Sequence, residues 1–517
     1  MGQPNVLFII TDQHRADHLG FMGNRVVRTP NLDALAARGV VFDNAWVANP
    51  VCMPNRSTIM TGRMPSAHGV IFNDRSLDWN AGTHVRDLRR AGWRTALIGK
   101  SHLQHGMSRN AVLPADAAPA IADPHPSGWN TLEDAERYDG EAPSFPDDFY
   151  GFEHVELAID HGGRITGHHL LWALERGGSY DDLVVPLTAD APARRRSDRW
   201  WQIYQPPYDP ELHSTAFVAE RTVDFIERHA GADEPWLAWA SFPDPHHPMT
   251  PPGEWFDRHD PADMAVPDSL DDPLTYAPEH LRRLQAHTVE HMYAWVAPVG
   301  TRDPDLVREC VAATYGMIEY IDHGVGQILA ALEATGATDD TIVVFTSDHG
   351  DMMGEHGLLL KGFMPFRGVQ QVPLVIAAPG VVPGRTSSLA GSIDLAPTLL
   401  ELCGASGHDG MQGVSLGPVL ADPSAGVREQ LVIEDDLRTA TAELLRVPAR
   451  TRTLVTADGQ KYTRHSTGED MAFDLVADPT EIDELGHRDP ARRSALQQRM
   501  LDAMLELADD ARGAPVG

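Results

Sequence analysis

The sequence predicts an α/β fold: a large, mostly parallel central sheet flanked by helices, then a smaller antiparallel sheet with one helix. Three observations predict it. Residues 5–10 and 341–346 are short β-branched apolar runs that each lead to a carboxylate, Asp12 and Asp348, and buried parallel strands read this way. Runs of this kind alternate with segments of helical periodicity. After Pro423 the pattern changes to short alternating strands around turn dipeptides.

In chain order, residues 5–10 form the first strand. Residues 30–39 form an amphipathic helix with Pro at its start and Gly39 at its stop. A short helix covers 54–61, with Cys52 just before it. Residues 85–91 and 95–98 make a helix–strand unit, and 237–241 a strand that enters a Pro/His loop. Helical periodicity runs from 311 to 335 and stops at Gly336. Strands follow at 341–346 and 372–378. Residues 109–210 and 249–304 are rich in Pro, Gly and Asp and read as insertions over the site, as long loops often are. The division expected is a catalytic domain over 1–423 and a small α+β subdomain over 424–517. In the latter, strands at 451–457, 460–465 and 472–476 surround the turn signals Asp458-Gly459 and Thr467-Gly468, and a helix covers 490–510.

Composition narrows the function classes. The 517 residues are ample for a sizeable core. A net charge of -32 argues against nucleic acid and anionic membranes as partners, because both want basic patches. An anionic small-molecule substrate would need local cations for its capture. No apolar run approaches a membrane span. Met1 leads into a strand with no basic leader, and Cys52, Cys310 and Cys403 are too scattered for a disulfide framework. The expectation is a cytoplasmic enzyme, open to homo-oligomerisation.

The most informative run is Cys52-Met53-Pro54-Asn55-Arg56, followed by Thr61-Gly62-Arg63 and His68-Gly69. No second Cys lies nearby, which removes a CxxC redox pair and a zinc knuckle. Further short motifs follow: Thr29-Pro30-Asn31-Leu32-Asp33, Gly99-Lys100-Ser101-His102-Leu103, Pro245-His246-His247-Pro248, Ser347-Asp348-His349-Gly350 with Lys361, and a run from Phe473 through Asp478-Pro479 to Glu481. Together and in this order they resemble the type I, formylglycine-dependent sulfatases of the alkaline phosphatase superfamily, near the phosphonate monoester hydrolase and choline-sulfatase-like branch.

That resemblance implies a mechanism. A maturation enzyme would oxidise Cys52 to formylglycine, whose hydrate attacks a sulfate monoester and passes through a covalent sulfo-enzyme intermediate. One divalent cation would be held by Asp12, Gln13, Asp348 and His349. The commonest sulfatase set pairs two Asp with a later Asp-Asn, so Gln13 and His349 depart from it. An imidazole ligand shifts preference from Ca²⁺ toward Mn²⁺. Arg56, one helical turn past Cys52, would hold the nucleophile and the metal-site carboxylates. By resemblance Lys100 neutralises the ester oxygens and His102 is the base of the second step. His246 and Lys361 bind the ester oxygen and protonate the leaving group, and Asn73 adds a substrate contact. On an extended segment Lys100 and His102 would point the same way. His105, His247, His287 and His291 carry no assignment.

Three readings compete. A sulfate monoester hydrolase is favoured by the Lys100/His102 pair, since phosphonate monoester hydrolases carry uncharged hydroxyl side chains there. A phosphonate monoester or phosphate diester hydrolase is favoured by chain length, the Gln13/His349 metal set and Asn73. A metal-stabilised binding protein without activity fits poorly, because every catalytic position is filled.

Overall fold

The computed structural model describes residues 3–105, 124–138, 140–287 and 299–507. Its centre is an eight-stranded sheet. In chain order the strands are β1 (Asn5–Thr11), β2 (Val40–Phe42), β3 (Arg94–Gly99), β4 (His154–Leu157), β5 (Trp236–Ser241), β6 (Thr341–Ser347), β7 (Leu374–Ala377) and β8 (Gly384–Thr386). Across the sheet they lie β8-β2-β7-β6-β1-β5-β3-β4. From β6 to β4 every neighbouring pair is parallel, while β7 runs antiparallel to both β6 and β2.

The strands are apolar on both faces because both faces are covered. Along β1, Leu7 and Ile9 join one core and Val6, Phe8 and Ile10 the other, all fully buried. The first core is closed by α1 (Pro30–Ala36), α4 (Ser214–Arg228) and α5 (Pro304–Ala334). The second is closed by α2 (Cys52–Thr61), α3 (His84–Arg90) and α6 (Leu395–Cys403). Phe8 stacks on Trp239 of β5 with centroids 4.1 Å apart, tying two central strands through one aromatic pair.

Three differences from the sequence reading have physical causes. The stretch 109–210 is more than an insertion: its short strand β4 pairs with β3 and closes the sheet edge. Four residues of mixed polarity carry too little period to announce a strand. Cys52 is the first residue of α2, two positions earlier than expected, because Pro54 fits the first turn of a helix. The C-terminal sheet has four strands, β9 (Gln430–Asp436), β10 (Arg450–Thr456), β11 (Gln460–His465) and β12 (Asp470–Asp474), all antiparallel. The unforeseen β9 ends in Glu434-Asp435-Asp436, whose charges Arg452 pairs from the neighbouring strand. Helix α7 (Pro490–Glu506) packs on this sheet through Leu496, Met500 and Ala503. Positions 508–510 of the expected helix lie outside the described residues, as does His291.

Candidate active site

The register of β1 against β6 pairs Thr11 with Ser347. The next residues, Asp12 and Asp348, therefore emerge side by side at the carboxyl edge, where open α/β sheets bind ligands. The Asp348 amide donates to the Thr11 carbonyl at 3.1 Å. The first residue of α2 comes to the same point. The Cys52 thiol lies 3.8 Å from Asp12 Oδ1 and 3.2 Å from His349 Nε2. The ligand atoms of Asp12, Cys52, Asp348 and His349 all lie within 4.8 Å of one another, and all four residues are buried. Residue 52 also heads a ten-residue helix, whose exposed N–H groups and dipole favour an anion.

Oxygen and imidazole donors converge here with the right chemistry for a divalent cation. His349 Nδ1 donates to the Gly350 carbonyl at 2.9 Å, which leaves the Nε2 lone pair facing the cluster. Gln13 lies beside these groups in a left-handed backbone conformation, φ 61°. Its amide N–H donates to Asp348 Oδ1 at 3.1 Å. Its side chain is held between His247 Nδ1, at 3.0 Å, and Asp351.

Cations balance the carboxylates. Arg56 donates from Nε to Asp348 Oδ2 at 2.7 Å, and from Nη1 to Ser241 Oγ at 2.9 Å and the Lys100 carbonyl at 3.1 Å. Its Nη2 lies 3.4 Å from Asp12 Oδ2. Lys100 pairs directly with Asp12. Lys361 Nζ lies 2.9 Å from both Cys52 Sγ and His349 Nε2. Burial alone would raise the Asp12 pKa, but Lys100, Lys361, His246 and Arg56 hold it well below the usual carboxylate range. Burial and Asp12 push the Cys52 thiol up, whereas Lys361, Lys100 and His349 outweigh them and bring it below the ordinary thiol value. Arg56, Lys100 and Lys361 against Asp12 and Asp348 leave a surplus positive charge in a chain that is strongly acidic overall.

The loop carrying Lys100 and His102 is set by its neighbours. Gly99 has φ 102°, and a Cβ there would overlap the Ser241 carbonyl oxygen, so only glycine fits. Lys100 N–H donates to that same carbonyl at 2.9 Å. His102 is left-handed, φ 58°, so the loop turns and is not extended as expected. Glu133 holds the turn. Its Oε1 accepts from Ser101 Oγ at 2.8 Å, Leu103 N at 3.0 Å and Gln104 N at 2.9 Å, and its Oε2 from His102 N at 2.7 Å. Burial still raises its pKa to about 6. Burial, then Lys100 and His161, hold His102 well below the ordinary imidazole value, which keeps it neutral.

Of the other predicted residues, His246 Nε2 is 4.0 Å from Asp12 Oδ1. Asn73 Oδ1 accepts the Met53 amide at 3.1 Å, which fixes the start of α2 beside residue 52. Sequence reasoning missed Glu133, Ser241 and His161. Ser241 had a signal, since it ends a strand entering the Pro/His loop. Glu133 and His161 had none, because both lie in the stretch 109–210 read as insertion. His161 stacks on His246 with centroids 4.0 Å apart and touches Lys100.

A buried helix start carrying Cys52, two strand-end carboxylates and a wall of cations meet at one sheet edge, and with this fold they match a hydrolase of the alkaline phosphatase superfamily. A family profile described as Sulfatase matches residues 4–405, and the chain belongs to the sulfatase family. A second profile, N-sulphoglucosamine sulphohydrolase, C-terminal, matches residues 354–510. The chain is 29% identical to an arylsulfatase of Clostridium perfringens over 93% of its length and 90% of that protein's. It is 28% identical to a choline-sulfatase of Rhizobium meliloti, covering 96% and 85%. Among solved structures, the phosphonate monoester hydrolase of Agrobacterium radiobacter superposes with a TM-score of 0.76 at 27% identity, covering 98% and 96%. The protein is a sulfatase hydrolase, and no helix of the described residues is long and apolar enough to cross a membrane.

Proposed function

We propose that this chain hydrolyses sulfate monoesters with residue 52, converted from Cys to formylglycine by a maturation enzyme, as the nucleophile. Asp12, Asp348 and His349, with Gln13, would hold one divalent cation, Ca²⁺ or Mn²⁺, and the cluster of buried donors around Cys52 fits such an ion. When bound, the cation lowers the pKa of an oxygen nucleophile. The chain's own side chains do the rest. Arg56 fixes both carboxylates and the edge of β5. Lys100 and Lys361 hold the ester oxygens by charge. His246 and Lys361 serve the leaving group. His102, neutral at pH 7, removes the proton that allows release of sulfate.

The observation that carries sulfate over phosphonate is the Lys100/His102 pair within one Glu133-clamped loop. The likeness to phosphonate monoester hydrolases, together with Gln13, His349 and Asn73, supports the second reading, a phosphonate monoester or phosphate diester hydrolase. Matched sulfate, phosphonate and phosphodiester esters of one phenol test the choice. Sulfate should give the highest kcat/KM, and a better phosphonate or diester would reverse it while leaving nucleophile and metal ligands unchanged.

A further inference from the structure

We propose that His161 is a positioning residue for Lys100: it accepts one ammonium N–H and so turns another toward the anion. This rests on the sulfatase reading of the same site. His161 follows β4, which runs parallel to β3 with Leu157 opposite Gly99. The chain leaving both strands therefore reaches the same edge of the sheet, Lys100 directly after one and His161 four residues after the other. A lysine ammonium has three donors and no acceptor. In its contact with His161 Nε2 the imidazole must accept. A second donor goes to Asp12 Oδ2. These two acceptors fix the rotation of the ammonium, and the third N–H has one direction left to it.

The loop that carries His161 is braced at both sides of that residue. Asp160 is braced by Arg164 Nε and Thr166 Oγ1, both at 2.8 Å. Gly162 is left-handed, φ 61°, and a Cβ there would sit 2.9 Å from Pro248 Cδ, so the loop packs on the far end of the His246-His247-Pro248 segment. His161 also stacks on His246 with rings 4.0 Å apart and 29° from parallel. Two roles are thereby separable: acceptor for Lys100, or packing surface for His246.

Two substitutions divide them. His161→Phe keeps the ring and removes the acceptor; His161→Gln keeps an acceptor and removes the ring. The readouts are the dissociation constant of inorganic sulfate by calorimetry and the KM and kcat for an aryl sulfate. His161→Phe should weaken sulfate binding and raise KM about tenfold, a loss of roughly 1.4 kcal/mol. His161→Gln should stay within about threefold of wild type. In a Lys100→Met background His161→Phe should add no further loss, because the effect passes through Lys100. A Phe variant that binds sulfate like wild type, a Gln variant as weak as Phe, or additive losses would overturn the assignment. A wild type that binds sulfate but cleaves no sulfate ester would fail the sulfatase reading and leave the binding test of His161 in force.

Discussion

Glu133→Gln tests whether one carboxylate shapes the catalytic loop. The substitution is nearly isosteric, so packing is preserved. Three of the four donors can still find the amide oxygen at the Oε1 position. The fourth, His102 N–H, would face an amide NH₂, donor against donor. The pKa of Glu133 is raised to about 6 by burial even with all four bonds in place, so removing the charge is not itself a cost. Setting the buried His102 N–H against another donor costs about 1–3 kcal/mol. The local loss is about 2 kcal/mol, concentrated at His102. Lys100 is anchored separately, through its N–H to Ser241 O at 2.9 Å. Substrate capture should therefore survive while the step served by His102 suffers. Steady-state kinetics on an aryl sulfate should show kcat down about thirtyfold with KM changed less than about threefold. A variant with kcat within twofold of wild type would refute the clamp, and an equal rise in KM would show that Glu133 holds Lys100 as well.

Other outcomes follow from the same geometry. Peptide mass spectrometry across residue 52 should find formylglycine after expression with a maturation enzyme, and Cys52→Ala should lose nearly all turnover; full activity from an unmodified thiol would sink the proposed nucleophile. Chelation should abolish activity, and metal analysis of the active protein should return about one ion per chain, in keeping with a single converging ligand set; full activity in metal-free protein would remove the cation from the mechanism. Glu156 on β4 is half-buried, which raises its pKa, but hydrogen bonds from His154 and Arg221 prevail and bring it to about 2. A depressed carboxylate contributes stability above its unfolded pKa of 4.5 and loses it as pH falls toward 2. Up to about 3 kcal/mol should disappear over that window, and denaturant titrations of Glu156→Gln should lack this part of the slope.

Much of this molecule is legible in its sequence because its central strands are buried on both faces. Uniform burial gives β1 and β6 unbroken apolar runs, and their ends locate Asp12 and Asp348 without knowledge of the fold. Residue 52 and Arg56 stand out because the run Cys52-Met53-Pro54-Asn55-Arg56 resembles a sulfatase signature. What was not legible depends on tertiary placement. β4 is too short to show a period, so the loop after it, with His161, looked like part of an insertion. Glu133 acts on backbone N–H groups about thirty residues away, and no residue pattern encodes which amides a carboxylate will meet. The turn at His102 follows from that clamp and not from its own sequence, so alternation misjudged its direction. β9 carries three successive acids that mask its apolar half until Arg452 is seen to pair with two of them.

The central sheet joins its first strand to one made far later: Ser347 Oγ bonds the Thr11 carbonyl across 336 positions. On a ribosome adding about 5–20 residues per second, that interval lasts roughly 20–70 s. Until β6 emerges, β1 has β5 as a neighbour on one side only, Asp348, His349 and Lys361 have not yet been made, and residue 52 lacks part of the surroundings that bury it in the finished protein. The thiol is therefore exposed during synthesis and hidden afterwards. Any agent that must handle Cys52 works against the clock of translation, and the length of chain between the two halves of the site sets how long that clock runs.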